Sequence, residues 1–139
     1  MTPIFAVIDT NVIVSAFITH NSESATVKVV DKLFDGAIIP VFNDEILNEY
    51  IEVLSRRKFD INPNKINDFI ISLQHLGLSI DRTDYDGTLP DPSDRVFYEV
   101  SLTEDSYLVT GNKKHFPVTP KVVSPSEMLD ILSGLTSKS

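Results

Sequence analysis

The consecutive apolar residues Ile4-Phe5-Ala6-Val7-Ile8 stop abruptly at Asp9. A short apolar run without alternation marks a central strand covered on both faces. Ser24 then has the character of a helix N-cap, and Val27, Val29, Val30, Leu33 and Phe34 follow at helical spacing up to Gly36. Ala37 to Phe42 reads as a second strand, although Pro40 weakens it. Asn43 is placed to cap a helix running to about Arg57. Its apolar stripe is Ile46, Leu47, Tyr50, Ile51 and Leu54. A further helix is predicted over 63–76, with Pro63 in its first turn and Gly77 after its end. The acidic stretch from Asp81 to Thr88 reads as a loop, and Asp91-Pro92 as the cap and first position of another helix. Ser106 to Thr110 and Lys121 to Val123 are the remaining strands. Ser124-Pro125-Ser126-Glu127 is a capping box, opening a helix expected to stop near Gly134. Strands alternating with helices predict an α/β sandwich with a mostly parallel sheet. No repeat or linker interrupts the pattern, so residues 1–134 read as one domain followed by a flexible tail over 135–139.

Composition narrows the function classes. A chain of 139 residues buries enough surface to fold without disulfides or a structural metal. With Cys 0, thiolate zinc sites and cysteine nucleophiles are excluded. The run at Ile4–Ile8 has neither the basic leader of a signal peptide nor the length of a membrane span, and a soluble cytoplasmic protein is expected. The net charge of −8, from Lys+Arg 12 against Asp+Glu 20, argues against broad coating of nucleic acid, which needs many phosphate-neutralising cations. Clustered carboxylates awaiting divalent cations would carry the same sign.

Position therefore decides what the acids do. Sites in open α/β sheets lie beyond the carboxyl ends of the strands. Asp9 follows the first strand, Asn112 follows Thr110-Gly111, Asp91 and Asp94 share one first helical turn, and Glu49 lies on the helix after the second strand. Hard cations take oxygen ligands of this kind, and two ions can clamp a phosphodiester during in-line displacement. Within its helix Glu49 flanks the apolar stripe, whereas Glu45 and Glu52 point away from it. Asp105, at the start of its strand and about 20 Å from Asn112, belongs to the opposite edge of the sheet. Taken singly, Asp9 and Asn11 read as caps, Asp91 as an N-cap, Asp94 as a complement to a helix dipole and Glu49 as a solvated acid. Independent capping does not explain their gathering at one edge. Tyr50 and Phe97 occupy helical core positions, and His20 and His75 read as ordinary structural or surface residues.

Four stretches resemble one family. Val7-Ile8-Asp9-Thr10-Asn11-Val12 is similar to the opening strand and acid of PIN-domain nucleases. Asn43 to Leu54 resembles their second helix, with the family's acid falling on Glu49. Leu89-Pro90-Asp91-Pro92-Ser93-Asp94 resembles the third acidic motif, and Tyr107 to Phe116 the fourth. Order and spacing agree across nearly the whole chain, and the likeness extends to the bacterial subgroup described as toxin components of toxin–antitoxin pairs. The resemblance implies a PIN-like three-layer α/β/α sandwich and an endoribonuclease using one or two Mg2+ or Mn2+ ions. It implies Asp9, Glu49 and Asp94 as principal ligands, Asp91 as an assistant, and Thr10, Asn11 and Thr110 as hydrogen-bonding groups that orient acids or water. Asn112 stands where many PIN domains carry aspartate. Its amide oxygen can coordinate a cation but brings no charge, so the ion or water nearest to it is expected to be held more weakly.

Lys113, Lys114 and His115, beside the proposed edge, are the preferred phosphate contacts over Arg56, Arg57 and Lys58. A toxin role implies an antitoxin partner, and exposed apolar helix surface would suit a homodimer. The alternative class is a catalytically weakened PIN module that binds protein or RNA without cutting, a reading that rests on Asn112. A phosphatase or response-receiver domain using Asp9 covalently fits poorly. The first wants another aspartate where this chain has Asn11, and the second an acidic pair at the end of the first strand.

Overall fold

The computed structural model describes residues 3–103 and 105–137. Strands β1 (Ile4–Ile8), β2 (Ile38–Phe42), β3 (Leu78–Ser79), β4 (Tyr107–Val109) and β5 (Val122–Val123) form one sheet in the order β3-β2-β1-β4-β5. Every pairing is parallel, and Ile8 lies opposite Val109. Among the described residues six helices surround the sheet: α1 (Thr10–Ile18), α2 (Ala25–Phe34), α3 (Asp44–Leu54), α4 (Pro63–Leu76), α5 (Arg95–Thr103) and α6 (Pro125–Ser137). The architecture is the expected α/β/α sandwich. Ala6, Val7 and Ile8 are all buried. Because successive strand side chains point to opposite faces, that pattern requires cover on both sides. Helix α5 packs against β1, β2 and β4, while α2 packs against β2, α1 and α6. None of the helices described is long and apolar enough to cross a membrane.

The caps explain where the helices begin. Ser24 accepts from the Val27 amide at 3.3 Å and Asn43 from the Ile46 amide at 2.9 Å. At α6 the box is reciprocal: Ser124 N–H donates to Glu127 Oε1 at 2.8 Å and Glu127 N–H to Ser124 Oγ at 3.1 Å. Gly36 ends α2 at φ 87°, the left-handed conformation glycine adopts without strain.

Several boundaries differ from the sequence reading. Helix α3 stops at Leu54, and a separate 3-10 turn covers Arg57–Phe59. Ile51, placed on the α3 stripe, is exposed. Helix α6 runs through Gly134 to Ser137. Gly134 lacks the left-handed conformation that would end it and is carried as a helix-interior glycine, at a cost of about 1 kcal/mol against alanine. Of the expected tail, 138–139 lie outside the described residues. The helix or turn that Asp9 or Asn11 was expected to cap after β1 is helix α1, for which the sequence offers no bounds. Its sequence TNVIVSAFI is apolar on nearly every side, and periodicity does not distinguish such a segment from the strand before it.

Pro40 sits inside β2, yet its carbonyl faces Gly77, ahead of the β3 pairing that begins at Val41. The missing N–H therefore falls on the side not yet paired. Gly77 closes α4 so tightly against β2 that an added Cβ would lie 2.2 Å from the Pro40 carbonyl oxygen. Gly77→Ala is expected to cost about 1–3 kcal/mol through overpacking, read as a lower urea midpoint with an unchanged m-value.

Candidate active site

The edge beyond β1 and β4 is laced together by small polar residues. Asp9 N–H donates to the Val109 carbonyl at 2.9 Å, carrying the ladder one residue past β1. The Thr110 hydroxyl donates to Asp9 Oδ2 at 2.7 Å and accepts from the Asn112 amide at 3.0 Å. Asn11 Oδ1 accepts from Gly111 N–H at 3.1 Å. The Thr10 hydroxyl donates to Glu49 Oε2. Among the three residues expected to orient acids or water, Thr10 and Thr110 each hold a carboxylate, while Asn11 holds backbone. Tyr50, the neighbour of Glu49, donates its phenol to the Ile8 carbonyl and so fixes α3 to the end of β1. Glu45 and Glu52 turn elsewhere, to Arg82 at 2.9 Å and Arg56 at 3.0 Å.

The third acidic segment arrives on a 3-10 turn, Pro92–Asp94, that leads directly into α5. Asp91 caps it, with Oδ1 accepting from Ser93 N–H at 3.0 Å and Ser93 Oγ at 2.8 Å. Asp94, three residues on, meets His115, whose Nδ1 lies 3.0 Å from Asp94 Oδ2. Asp91, Asp94 and His115 thus form a triplet whose ligand atoms all lie within 4.8 Å of one another. Asp9 and Glu49 line the same cleft without belonging to that triplet. The cleft has a volume of about 530 Å³, and Asn112, Val14, Ile18, Val53 and Phe59 also line it.

The acids act on one another. Burial pushes the Asp9 carboxyl up to about 6, against the Thr110 hydrogen bond, and the charges of Asp94 and Glu49 push the same way. Glu49 is also raised, first by burial and then, against its Thr10 bond, by Asp94, Glu52 and Asp91. Asp94 is raised by burial and by Asp91, opposed by His115. Asp91 alone is lowered, by its hydrogen bonds from Ser93. Carboxylates from separate elements that raise one another's proton affinity are held together at an electrostatic cost which a divalent cation relieves. Oxygen donors from Asp9, Glu49, Asp91, Asp94 and Asn112 around one cleft suit a hard cation.

The cationic residues depart from expectation. Lys113 is drawn to Glu127 at 2.8 Å, into the capping box of α6, and Lys114 is exposed; neither lines the cleft. His115 does line it, but against Asp94. Arg56, ranked lower by sequence position, is on the cleft wall with Phe59. Sequence reasoning also passed over Glu99, buried on α5 and bonded to Arg82 and Arg95. The Arg95–Glu99 spacing of four residues was the available signal. Tyr50 and Phe97 are core residues, as their helical positions indicated.

A family model described as PIN domain matches residues 6–114. The chain is a PIN domain. The match runs from within β1 into the fourth motif, so it takes in Asp9, Glu49, Asp91, Asp94 and Asn112 and ends one residue before His115. No curated protein matches the chain. PIN domains are generally nucleases that use divalent metals, and the acidic edge described above lies within the matched segment.

Proposed function

We propose that this PIN domain is a Mg2+- or Mn2+-dependent endoribonuclease, a cytoplasmic protein and the toxin component of a toxin–antitoxin pair. The observation that carries the proposal is the convergence of Asp9, Glu49 and Asp94 on one cleft at the sheet edge, where burial first and neighbouring carboxylates second raise all three, Asp9 to about 6. A bound divalent cation supplies Lewis acidity at the phosphodiester and makes water a competent nucleophile at neutral pH. Asp9, Glu49 and Asp94 would hold it, assisted by Asp91. Thr110 and Thr10 keep the first two carboxylates turned into the cleft, so little reorganisation is needed when the substrate arrives. Arg56 is positioned to meet a phosphate, and Phe59 and Ile18 give the sugar and base an apolar wall.

RNA as substrate, the antitoxin and the cytoplasmic setting follow from the likeness of the four motifs to the bacterial toxin subgroup. An antitoxin segment covering the acidic edge would silence the enzyme, and exposed apolar residues such as Phe34 and Ile71 would suit a homodimer. Matched RNA and DNA strands, single-stranded and folded, incubated with Mg2+, Mn2+ or EDTA test the substrate. Metal-dependent cutting confined to RNA is expected, and equal cutting of DNA would overturn the assignment to RNA. Asn112 supports a second reading, a module that binds without cutting, because it supplies no charge where many PIN domains have an acid. Asn112→Asp is accordingly expected to tighten cation binding in a calorimetric titration. Unchanged affinity would remove the argument built on this residue.

A further inference from the structure

One corner of the cleft contains a nitrogen. Asp91 caps the 3-10 turn that ends at Asp94, three residues on, so the turn brings the two carboxylates to the same corner. His115 ends a second 3-10 turn, Lys113–His115, and puts its ring against Asp94. The ligand atoms of all three residues fall within 4.8 Å of one another. Donors bonded at about 2.1 Å to one ion lie no more than about 4.2 Å apart. A small side-chain adjustment therefore closes the group on a single cation. The ring is held at its other edge too, with Nε2 3.0 Å from the side-chain amide of Asn112. If Nδ1 turns its lone pair toward an ion, the ring proton moves to Nε2. Asn112 accepts that proton's hydrogen bond by presenting its amide oxygen, a flip that needs no backbone change.

We propose that the Asp91–Asp94–His115 corner is a cation position in which His115 is a direct nitrogen ligand, selective for Mn2+ over Mg2+. The inference rests on the metal-dependent reading of this cleft and assigns its two ends different chemistry. Asp9 and Glu49 offer oxygen alone, which suits Mg2+. Imidazole favours transition metals, whereas Mg2+ keeps to oxygen and water. Asn112 then has a role that an aspartate would fill differently: it is the outer partner that fixes the tautomer and orientation of a ligating histidine.

The test is a calorimetric titration of the full chain with Mn2+ and with Mg2+, together with electron spin-echo modulation of the Mn2+-loaded protein. Wild type should show modulation from a directly bound nitrogen, and His115→Gln, folded by circular dichroism, should lack it. The variant should lose Mn2+ affinity by at least about tenfold, the cost of losing even an outer partner of a ligand, while Mg2+ affinity changes far less. Mn2+ bound by wild type without nitrogen modulation, or with modulation that persists in His115→Gln, overturns the inference and leaves the metal-dependent nuclease standing. Equal losses for the two ions overturn the selectivity. A wild type that binds neither ion overturns the underlying reading, and this inference with it.

Discussion

Asp9→Asn is expected to stabilise the metal-free protein at pH 7 by about 3 kcal/mol, while removing a principal ligand. Asp9 is 5% exposed, and its carboxyl is raised from 3.8 to about 6. Each unit is worth about 1.36 kcal/mol, so the shift corresponds to about 3 kcal/mol. Between these values the folded protein keeps a proton that the unfolded chain has released. Stability therefore falls as pH rises through that window, and above about 6 the whole penalty is present. Asparagine preserves the shape and can accept from Thr110 without the charge. The advantage of the variant should vanish below the unfolded value of 3.8, where both chains carry an uncharged side chain. Urea denaturation in EDTA at the two pH extremes measures this difference. Equal stability at pH 7, or a gap that persists in acid, would contradict the account. With Mn2+ the gap should nearly close, because an ion at a hundred times its Kd stabilises wild type by about 2.7 kcal/mol. A site that costs stability until its ion binds is a familiar form of exchange between stability and function.

The second large effect is expected away from the acids. Glu99 is 4% exposed and accepts from Arg82 Nε at 2.8 Å, Tyr85 N–H at 3.0 Å and Arg95 at 3.4 Å. Arg95 in turn donates to the carbonyls of Tyr85 and Gly87. This carboxylate thereby fastens the loop from Asp81 to Thr88 to α5, just before the chain reaches Asp91 and Asp94. Burial would raise Glu99, but the hydrogen bonds from Tyr85 and Arg82 outweigh it and hold the group below its ordinary 4.5. Its contribution is thus present above that value and is lost as pH falls through the lowered one, opposite in sign to Asp9. Glu99→Ala leaves two arginines facing a vacated pocket. Breaking a fully buried pair costs about 3–5 kcal/mol. Since these arginine side chains are about a third exposed (32% and 31%), about 2–3 kcal/mol is expected after solvent screening. Urea denaturation gives the loss, and faster proteolysis within 81–88 would show that the loop has been released. An unchanged midpoint would mean that Glu99 does not carry the loop.

These two residues also mark what was legible in the sequence. Asp9 could be read because a strand ending in an acid at the carboxyl edge is a positional signal, and Glu49 because the phase of its helix set it apart from Glu45 and Glu52. The parallel sheet followed from the alternation of strands and helices. Helix α1 had no legible bounds, since apolar residues on nearly every side of its sequence leave no amphipathic period. The two-residue strand β3 is too short to carry any pattern. Glu99 does not stand out in the sequence because one of its partners, Arg82, is seventeen residues earlier in the chain. Lys113 and His115 were read together from their adjacency, whereas the 3-10 turn sends one to Glu127 and the other to Asp94. Side-chain direction within so short a turn depends on backbone geometry that residue types do not encode.

The most direct measurement of the central claim is cleavage of end-labelled single-stranded RNA by wild type and Asp9→Asn side by side. Both must first be shown to be folded, and each is assayed with Mn2+, with Mg2+ and with EDTA. The account predicts metal-dependent cutting by wild type, abolished by EDTA. It also predicts a fall of at least about 100-fold in Asp9→Asn, at the upper end of the cost of disturbing a ligand's outer partner, although that variant is the more stable protein without metal. Cutting that survives the substitution, or a well-folded wild type that cuts with neither ion, would contradict it.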